Sequence, residues 1–542
     1  MTVGWNYGDI LDGLADVLPP EKPALIHADT VISWQDFTAQ TNRLARALAT
    51  RGVGVGDKVA FYLRNSPAYS QLLGACFKGR FTHVNVNYRY VEDELVYIID
   101  NSDSTVVAFD EDFADRIVAI RSRLPNVKVW LQSGSGTRPD FAEDFAHLLN
   151  AGDGSPLGIT RSADDLLFLY TGGTTGMPKG VMWRHEDQWL AGAAGANAAM
   201  GGVRPATLAA HLDNVKASGG GGRTIPCCPL MHGTGLFTAM GTLGAGGTIV
   251  TLTGQSFTAE ELWDTVDRHK VNGLAIVGDA FAKPMLRCLE ENPERWDISS
   301  LASIISSGVM WSPEVKRGLL RHNRNMVLTD SFGASEAVGF GRSDTTADGT
   351  TEVAKFKLGE NCKVFDENFE EVPPGSGRVG FVARSGPLPM GYYKDPEKTA
   401  KTFPTIRGVR YSIPGDYCQV EADGTLILLG RGSVCINTAG EKVYPEEIEE
   451  VLKTHPAVAD ALVVGVADDK WGQAVTGVIH LEQGANFDEA DIRAHVRQHL
   501  AGYKTPKRIL VTTQAMRASN GKADYKGVRQ FAEDSINGGL HA

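Results

Sequence analysis

The sequence predicts an α/β protein with a large N-terminal domain of several sheets and a small α+β C-terminal domain. The chain has 542 residues, more than a single hydrophobic core usually supports. Strand-like and helix-like patterns alternate through its first three hundred residues, as they do in folds built on parallel sheets. The pattern changes near Arg431, where a turn-rich stretch gives way to a compact unit. We therefore predict domains at 1–430 and 431–542.

The first clear helix is predicted at residues 35–51. Phe37, Leu44 and Leu48 recur at the spacing of one helical face, and Gly52 supplies an end signal. Apolar runs of strand length occur at residues 58–63, 105–109, 127–131, 165–170, 248–252, 274–277 and 303–305. Helix-like stretches lie between several of these runs, which favours a substantial parallel sheet.

The composition changes in two places. Residues 192–223 are rich in Gly and Ala without strong periodicity, so we expect mobile loop and short helix there. In the C-terminal part, Pro445 suits the first turn of a helix that ends near Pro456. Strands at 460–466 and 475–481 and a further amphipathic helix complete a small α+β domain.

Composition and charge exclude several classes of protein. A net charge of −12 and a pI near 5.6 argue against a nucleic-acid partner, which requires clustered Lys and Arg. The apolar runs fall short of the ~18–20 residues of a membrane helix, and the N-terminus has no signal-peptide pattern. Seven scattered cysteines without a CxxC pair support neither a disulfide framework nor a zinc site. We expect a cytoplasmic protein without a transmembrane segment, and transient membrane contact stays open.

The densest chemical motif is Tyr170-Thr-Gly-Gly-Thr-Thr-Gly-Met-Pro-Lys-Gly-Val181, which directly follows an apolar strand. Its glycines let backbone N–H groups approach phosphate oxygens, its hydroxyls add donors, and Lys179 adds a positive charge. Pro178 before the lysine and Gly180 after it exclude the phosphate loop of nucleoside triphosphatases, in which Gly-Lys-Ser/Thr opens a helix. The motif therefore predicts a phosphate-binding loop of another kind.

Further motifs follow in a fixed order along the chain. They are Pro229-Leu-Met-His-Gly-Thr-Gly235, Ser306-Ser-Gly-Val-Met-Trp311, Asp330-Ser-Phe-Gly-Ala-Ser-Glu336, Met390-Gly-Tyr-Tyr-Lys394, Gly415-Asp416, Gly430-Arg431, Ala439-Gly440-Glu441 and Ser519-Asn-Gly-Lys-Ala523. Together with residues 170–181, this set resembles the signatures of the adenylate-forming superfamily of acyl- and aryl-CoA synthetases, peptide-synthetase adenylation domains and beetle luciferases. The resemblance spans roughly residues 20–530. The string YTGGTTGMPKGVMW looks most like synthetases for long-chain or steroid side-chain acids.

The resemblance implies an ATP site. The implied ATP-binding residues are Thr171, Gly172, Gly173, Thr174, Thr175, Gly176, Lys179, Gly308, Val309, Met310, Ser331, Phe332, Gly333, Ser335, Asp416, Arg431 and Lys522. Phe332 would face the adenine, Asp416 would accept the ribose hydroxyls, and Glu336 would hold Mg²⁺, which prefers oxygen ligands. Three positions depart from the family pattern, since Gly173 replaces Ser, Phe332 replaces Tyr and Ser335 replaces Thr.

The resemblance also implies a two-step reaction, in which an acid attacks ATP to give an acyl-adenylate and a thiol then displaces AMP. The implied catalytic residues are Lys522, Glu336, Thr175 and His232. The implied acyl pocket comprises His232, Phe237, Ser307, Gly308 and Gly333. The small C-terminal domain would be mobile and rotate near Ser433, replacing Lys522 by the CoA-side residues Ala439, Gly440 and Glu441. Ser433 itself departs from the usual Asp or Lys.

The resulting prediction is an AMP-forming acyl-CoA synthetase that uses ATP, Mg²⁺ and coenzyme A on a long-chain fatty or steroid side-chain acid. Open alternatives are transfer to an acyl-carrier protein, an aryl or short-chain acid substrate, and a non-catalytic adenylate-binding relative. The non-catalytic alternative is disfavoured because the sequence retains Lys179, Glu336, Asp416 and Lys522. The expected partners are small-molecule substrates, and the oligomeric state, a homodimer included, stays open.

Two features receive no function from the sequence. Residues 233–247 carry many small side chains, which suits either a wide apolar pocket or close packing of a helix. The strings Arg64-Asn65-Ser66 and Asn85-Val-Asn87 also resemble the family, but no chemistry can be assigned to them.

Overall fold

The fold is described from a computed structural model of the chain. The described residues are 4–173, 176–199, 205–308, 311, 313–349, 355–359, 361–431, 436–439, 441–443, 445–516 and 524–537. The chain divides into two compact units. The first comprises Met1–Tyr88, Ile99–Tyr170 and Gly180–Gly430, and the second comprises Arg89–Ile98, Thr171–Lys179 and Arg431–Ala542. The second unit thus includes two short segments that come early in the chain.

Helices occur throughout the described ranges. They are α1 (Tyr7–Val17), α2 (Trp34–Thr50), α3 (Pro67–Gly79), α4 (Glu92–Asn101), α5 (Ala114–Ile120), α6 (Phe145–Asn150), α7 (His185–Ala199), α8 (Leu208–Ser218), α9 (Gly233–Gly244), α10 (Ala259–His269), α11 (Asp279–Glu291), α12 (Pro313–His322), α13 (Pro396–Thr402), α14 (Pro445–Lys453), α15 (Glu489–His499) and α16 (Tyr525–Asn537). Within those ranges, every helix is too short or too polar to cross a lipid bilayer.

The strands alternate with these helices. They are β1 (Pro23–His27), β2 (Thr30–Ser33), β3 (Lys58–Tyr62), β4 (Thr82–Asn85), β5 (Ser104–Asp110), β6 (Val129–Ser133), β7 (Glu143–Asp144), β8 (Leu166–Gly173), β9 (Gly176–Arg184), β10 (Arg223–Pro226), β11 (Thr248–Thr251), β12 (Gly273–Ile276), β13 (Ser303–Ser307), β14 (Val327–Ala334), β15 (Ala337–Thr345), β16 (Lys355–Leu358), β17 (Cys362–Phe365), β18 (Gly380–Arg384), β19 (Gly391–Tyr392), β20 (Thr405–Ile406), β21 (Val409–Arg410), β22 (Asp416–Val420), β23 (Thr425–Arg431), β24 (Ile436–Thr438), β25 (Glu441–Val443), β26 (Val458–Asp468), β27 (Gly472–Leu481) and β28 (Arg508–Val511). Each apolar run predicted as a strand has a counterpart among them.

The largest sheet has the strand order β17-β18-β22-β23-β16-β15-β14-β13-β12-β10-β11-β1-β2. Its run from β14 to β1 is parallel, and antiparallel strands begin at β15 on one side and β2 on the other. Since parallel strands place their carboxyl ends at one edge, β10, β12, β13 and β14 all deliver their following residues to the same edge. Ligands of open α/β sheets bind at such edges.

A second sheet has the order β19-β9-β8-β4-β3-β5-β6-β7. Its strands from β8 to β7 are parallel, and β19 adds antiparallel to β9. On the predicted helix α2, the Ser33 side chain accepts from the Asp36 N–H at the N-cap, and Phe37, Leu44 and Leu48 are buried. The predicted α/β fold with parallel sheet is confirmed.

The Gly/Ala-rich stretch at residues 192–223 contains more helix than expected. α7 extends through Ala199, and α8 begins behind a Thr207 N-cap and ends at Gly219, whose φ is +74°. Alanine is the strongest helix former, so the absence of an apolar stripe was a poor guide here. Residues 200–204 lie outside the described ranges.

The C-terminal part of the second unit has the predicted α+β pattern. β26 and β27 form a long antiparallel pair, with β24 and β25 beyond β27 and with β28 parallel to β27. Ile448 and Leu452 of α14 share a core with Ile492 and Val496 of α15. The helix predicted from Pro445 corresponds to α14.

Candidate active site

The turn between β14 and β15 carries two of the predicted site residues. Ala334 pairs with Ala337, so Ser335 and Glu336 form the two-residue hairpin turn. Glu336 is only 7 % exposed, and its Oε1 accepts a hydrogen bond of 2.6 Å from the Tyr392 hydroxyl. The Trp183 indole N–H donates to the Ser335 carbonyl at 3.0 Å. Two aromatic donors from β19 and β9 therefore fix this turn.

Glu336 fits the predicted role of a magnesium ligand. Mg²⁺ is commonly held by one or two carboxylates, and substrate phosphates and water complete its octahedron. The bond from Tyr392 orients the carboxylate. Within the described ranges, no group of three or more His, Cys, Asp or Glu side chains could hold a metal by itself. An ion at Glu336 would therefore depend on oxygens of a bound ligand.

Phe332 precedes Gly333 on β14. Its ring packs against Phe340 and Phe356 with centroid separations of 5.3 and 5.4 Å and tilts of 36° and 39°. The register of β14 and β15 shifts between Phe332 and Ala334, so Gly333 sits at an irregularity of the ladder. The rings of Phe340 and Phe356 thus hold the Phe332 ring in one orientation.

A buried ion pair behind β14 was not anticipated from the sequence. Lys316 of α12 and Asp330 of β14 are paired, with side chains 1 % and 8 % exposed. Burial raises the pKa of Asp330, and the Lys316 ammonium opposes that shift. The pair ties α12 to the strand that carries Ser331 and Phe332. A lysine in the polar pattern of a helix gave no signal of this role.

The end of β13 lies beside β14. Ser307 pairs with Ser331 in the parallel ladder, and Gly308 follows with φ of +90°. A Cβ at Gly308 would meet nothing nearer than Val277 Cγ1 at 3.9 Å. The backbone conformation, and not crowding, therefore requires glycine here.

Asp416 opens β22 on the same sheet. It follows Gly415, whose φ is +99°, and it is buried. Cys418 and Val420 of β22 belong to the hydrophobic cluster that contains Phe332. The strand that begins with Asp416 thus packs in the same core as Phe332.

His232 is the N-cap residue of α9, and its carbonyl accepts the Leu236 N–H at 2.9 Å. The small residues of α9 serve mainly close packing. A Cβ at Gly235 would lie 2.4 Å from the Pro229 carbonyl oxygen, and one at Gly244 would lie 2.6 Å from the Trp189 ring, whereas Gly241 has nothing within 4 Å. Close packing of the helix therefore explains most of this stretch.

Phe237, also on α9, makes an edge-on contact with the Trp183 ring, with centroids 6.3 Å apart at 83°. Trp183 is fully buried and also supports Ser335. One indole thus contacts both a predicted acyl-pocket residue and the turn of Glu336.

The second unit contains the predicted phosphate-binding segment. Thr171, Gly172 and Gly173 end β8, and Gly176 begins β9. The Tyr97 hydroxyl donates to the Pro178 carbonyl at 3.1 Å, and Lys179 is half-buried on β9. The segment therefore connects two adjacent strands of the second sheet.

Two of the predicted CoA-side residues, Ala439 and Glu441, lie at the ends of β24 and β25 that face each other. Thr438 pairs with Glu441, and Ala439 has φ of +49°. The Ala439 N–H donates to the Trp471 carbonyl at 2.9 Å, and Glu441 forms an ion pair with Arg89. The hairpin is thus fastened on both sides within the second unit.

Trp471 is surrounded by positive charge. The ammonium groups of Lys507 and Lys470 lie 4.4 and 4.8 Å from its ring centroid. Burial lowers the pKa of Lys507, and the neighbouring cations Arg493, Arg497 and Lys470 lower it further. Several cations around one half-buried aromatic ring would gain stability from a bound anion.

The segment Arg89–Ile98 is attached to the C-terminal part by a buried ion pair. Lys504 and Glu94 are 2.7 Å apart, and both side chains are 3 % exposed. Glu94 Oε2 also accepts from the N–H groups of Ala501 at 2.8 Å and Val91 at 3.1 Å. The carboxylate is therefore fully engaged by charge and hydrogen bonds.

Several predicted residues lie outside the described ranges. They are Thr174, Thr175, Val309, Met310, Ser433, Gly440 and Lys522. Arg431 ends β23. The roles predicted for all of these residues stay predictions.

Comparison with known proteins identifies the family. The model of the AMP-binding enzyme family matches residues 15–393, and that of the AMP-binding enzyme C-terminal domain matches residues 447–522. The chain is 40 % identical to the medium/long-chain-fatty-acid–CoA/3-oxocholest-4-en-26-oate–CoA ligase of Mycobacterium marinum, covering 100 % of this chain and 99 % of the relative. It is also 40 % identical to the 3-oxocholest-4-en-26-oate–CoA ligase of Rhodococcus rhodochrous, with coverages of 96 % and 95 %.

Solved structures agree with this assignment. The amide bond synthetase McbA from Marinactinospora thermotolerans superposes with a TM-score of 0.80 at 25 % identity, covering 97 % of this chain and 99 % of McbA. The o-succinylbenzoate CoA synthetase from Bacillus subtilis, with a TM-score of 0.78 at 23 % identity and coverages of 95 % and 97 %, shows the same fold. The predicted resemblance to the adenylate-forming superfamily is confirmed. With one family model spanning most of the chain and relatives aligned along nearly all of it, this protein belongs to the AMP-binding enzyme family.

Proposed function

We propose that the protein is an acid–CoA ligase that activates medium- to long-chain fatty acids or steroid side-chain acids through an acyl-adenylate. The observation that carries this proposal is the 40 % identity, along the full chain, to ligases whose names specify those acids. A match of this extent covers the acid-binding, ATP-binding and C-terminal regions together.

In the first half-reaction, the acid carboxylate attacks the α-phosphorus of ATP and pyrophosphate leaves. Phe332 would stack on the adenine, and Asp416 would accept the ribose hydroxyls. The segment Thr171–Lys179 would bind the phosphates, and Glu336 would hold Mg²⁺, which neutralises phosphate charge when bound. Lys522 would offset the charge that collects between the carboxylate and the α-phosphate.

In the second half-reaction, the thiol of CoA attacks the acyl carbon and AMP leaves. Support for CoA as the acceptor comes from Trp471, whose ring is flanked by Lys470 and Lys507 beside the Ala439 hairpin. The nucleotide of CoA offers a base that can stack on an indole and phosphates that pair with ammonium groups. The pantetheine arm of a carrier protein lacks that nucleotide.

The proposal is tested by measuring AMP and acyl-CoA with a panel of long-chain, short-chain, aryl and steroid side-chain acids. We expect equal amounts of the two products, with the highest kcat/KM for the long-chain or steroid acids. AMP release that peaks on short-chain or aryl acids would contradict the acid assignment. The absence of acyl-CoA with every acid would contradict the proposed function.

The acceptor is tested separately by comparing CoA with pantetheine. We expect a KM for pantetheine at least ~10-fold above that for CoA, because the lost stacking and ion pairs contribute about 1–3 kcal/mol. In Trp471→Ala the two KM values should converge. Equal KM values in the wild-type enzyme would instead favour a carrier-protein acceptor.

A further inference from the structure

The strings that contain Asn65 and Asn85 received no function from the sequence. In the structure, the amide nitrogen and oxygen of both side chains make hydrogen bonds. Asn85 is the last residue of β4 and is 4 % exposed. Its Nδ2 donates to the carbonyls of Tyr170 at 2.9 Å and Met231 at 2.7 Å. Its Oδ1 accepts the Tyr170 N–H at 2.5 Å. One carboxamide thus joins two chain segments that are far apart in sequence.

The two segments that Asn85 joins lead directly into predicted substrate-binding motifs. Tyr170 is bonded to Thr171, the first residue of the predicted phosphate-binding segment, and Met231 is bonded to His232, the predicted neighbour of the acid. The β4–β8 ladder pairs Val84 with Phe168. Beyond that pair, the Asn85 side chain binds the main chain of Tyr170 as a peptide group would. Its second N–H donates to Met231 in the loop of residues 227–232, called here the histidine loop.

Neighbouring side chains also hold the loop, and one of them reaches β8 through a second side chain. Asn65 Nδ2 donates to the carbonyls of Pro226 and Cys228 at 3.1 and 3.0 Å, and its Oδ1 accepts the Leu230 N–H at 2.7 Å. The Tyr69 hydroxyl donates to the Leu230 carbonyl at 3.1 Å. The same hydroxyl lies 2.9 Å from His83 Nε2, and His83 Nδ1 lies 3.1 Å from the Phe168 carbonyl oxygen of β8. The loop before His232 is therefore held at several points, and Asn85 links it directly to the main chain of Tyr170.

We propose that Asn85 is a positioning residue that fixes the acid-binding histidine loop against the strand leading into the phosphate-binding segment. This inference rests on the proposed function for the meaning of the two motifs. Bond formation between the acid and the α-phosphate requires reacting atoms at near-attack distance, and a misplacement of about 1 Å can cost ~10²-fold in rate. Loss of the bridge should therefore slow adenylation more than it weakens the binding of either substrate.

The chain offers a matched control for the loss of an equivalent carboxamide. Asn323 is also buried. Its Nδ2 donates to the carbonyls of Ile298 and Leu301 at 2.9 Å each, and its Oδ1 accepts the Asn325 N–H at 3.0 Å. These bonds lie near the amino ends of β13 and β14, at the sheet edge opposite to Ser307 and Phe332. Like Asn85→Ala, Asn323→Ala removes two donated hydrogen bonds and one accepted hydrogen bond, but it does not contact the predicted motifs.

The test compares Asn85→Ala, Asn65→Ala and Asn323→Ala in acid-dependent ATP–pyrophosphate exchange, with thermal unfolding measured in parallel. We expect similar losses of Tm for Asn85→Ala and Asn323→Ala. In Asn85→Ala, kcat should fall about 10²-fold, while the equilibrium Kd for ATP and for the acid each change less than ~3-fold. Asn65→Ala should mainly raise the KM for the acid, and Asn323→Ala should leave kcat and both KM values within ~2-fold.

A second variant and a second measurement keep the inference decidable. Asn85→Asp keeps the size and the acceptor of the side chain but loses both donors, so it carries the kinetic test if Asn85→Ala does not fold. Hydrogen exchange at Tyr170 should speed up in Asn85→Ala, which loses the acceptor of that N–H. Exchange at residues 231–233 should speed up in both Asn85 variants, which lose the donor to Met231, whereas Asn65→Ala should speed up exchange only at residues 228–232.

Two outcomes would overturn the proposal. One is a kcat within ~3-fold of wild type in each Asn85 variant that folds, and the other is an unchanged exchange rate at residues 231–233 in those variants. A wild-type enzyme that exchanges no pyrophosphate with any acid would contradict the proposed function instead. In that case the hydrogen-exchange comparison still decides whether Asn85 bridges the two segments.

Discussion

At the scale of single residues, the predicted site depends on side chains to which the motifs assigned no role. Glu336 is held by Tyr392, and Ser335 is held by Trp183. The string 390–394 was visible in the sequence as a family element, but its contact with Glu336 joins residues 56 positions apart. Sequence motifs identify groups that meet a ligand, whereas the groups that orient them are found only by the fold.

The Tyr392 hydroxyl is expected to matter for catalysis. Tyr392→Phe removes the donor to a buried carboxylate oxygen of Glu336. Loss of such a hydrogen bond costs about 1–3 kcal/mol, and the carboxylate is then free to turn. We expect kcat for adenylation to fall about 10-fold or more and the Mg²⁺ concentration for half-maximal rate to rise. Tyr393→Phe is the control, because the Tyr393 hydroxyl bonds Asp103 at an exposed position. Equal behaviour of the two variants would argue against a role for the Tyr392–Glu336 bond.

The second residue-scale prediction concerns ribose binding. Asp416→Ala should weaken ATP binding by about 1.5–3 kcal/mol, or roughly 10- to 100-fold in Kd, because the ribose diol loses a charged acceptor. The measurement is calorimetric titration of the folded variant with ATP. Asp423→Ala, which removes an exposed turn carboxylate, serves as the control. An ATP affinity equal to wild type in Asp416→Ala would remove this residue from the site.

At the scale of elements, local patterns were sufficient for most helices and strands. The helix α2 follows from apolar periodicity and from the Gly52 end signal. The strands β3, β5, β11, β12 and β13 follow from apolar runs of strand length. The pairing of β14 with β15, which turns Ser335 and Glu336 back on β14, has no comparable local signal. Sheet order also escaped prediction, since β1 pairs with β11 across more than two hundred residues.

The attachment of α4 to the C-terminal part is a further long-range feature, and it leads to a stability prediction. Removing one partner of a buried ion pair leaves an uncompensated charge and costs about 3–5 kcal/mol. Lys504→Met should therefore lower Tm of the full chain clearly. Glu94→Gln combined with Lys504→Met should recover part of that loss, because both charges are then gone.

The measurement is a double-mutant cycle by thermal unfolding. Lys453→Met is the control, because it removes a cation from α14, at a different position of the same unit. Additive losses in the double variant, or a Tm for Lys504→Met that matches Lys453→Met, would contradict a coupled buried pair.

At the scale of the whole molecule, the sequence motifs extend over both compact units, and the proposed reaction requires residues from each. The ordered motifs sufficed to predict the family, because several short patterns at fixed order are rarely accidental together. The proposed acid rests only on likeness to relatives. An apolar pocket is formed by many side chains with no common motif, and the small residues of α9 proved to serve packing.

The most direct test of the two-step reaction measures each half separately in wild type and in Lys522→Ala. Wild type should exchange pyrophosphate into ATP only when acid is present, and should convert supplied acyl-adenylate to acyl-CoA without ATP. Lys522→Ala should lose at least ~10² in the exchange rate, about 2.7 kcal/mol of transition-state stabilisation. It should retain near wild-type formation of acyl-CoA from the adenylate. Equal losses in both halves, or an unaffected exchange rate, would contradict the account.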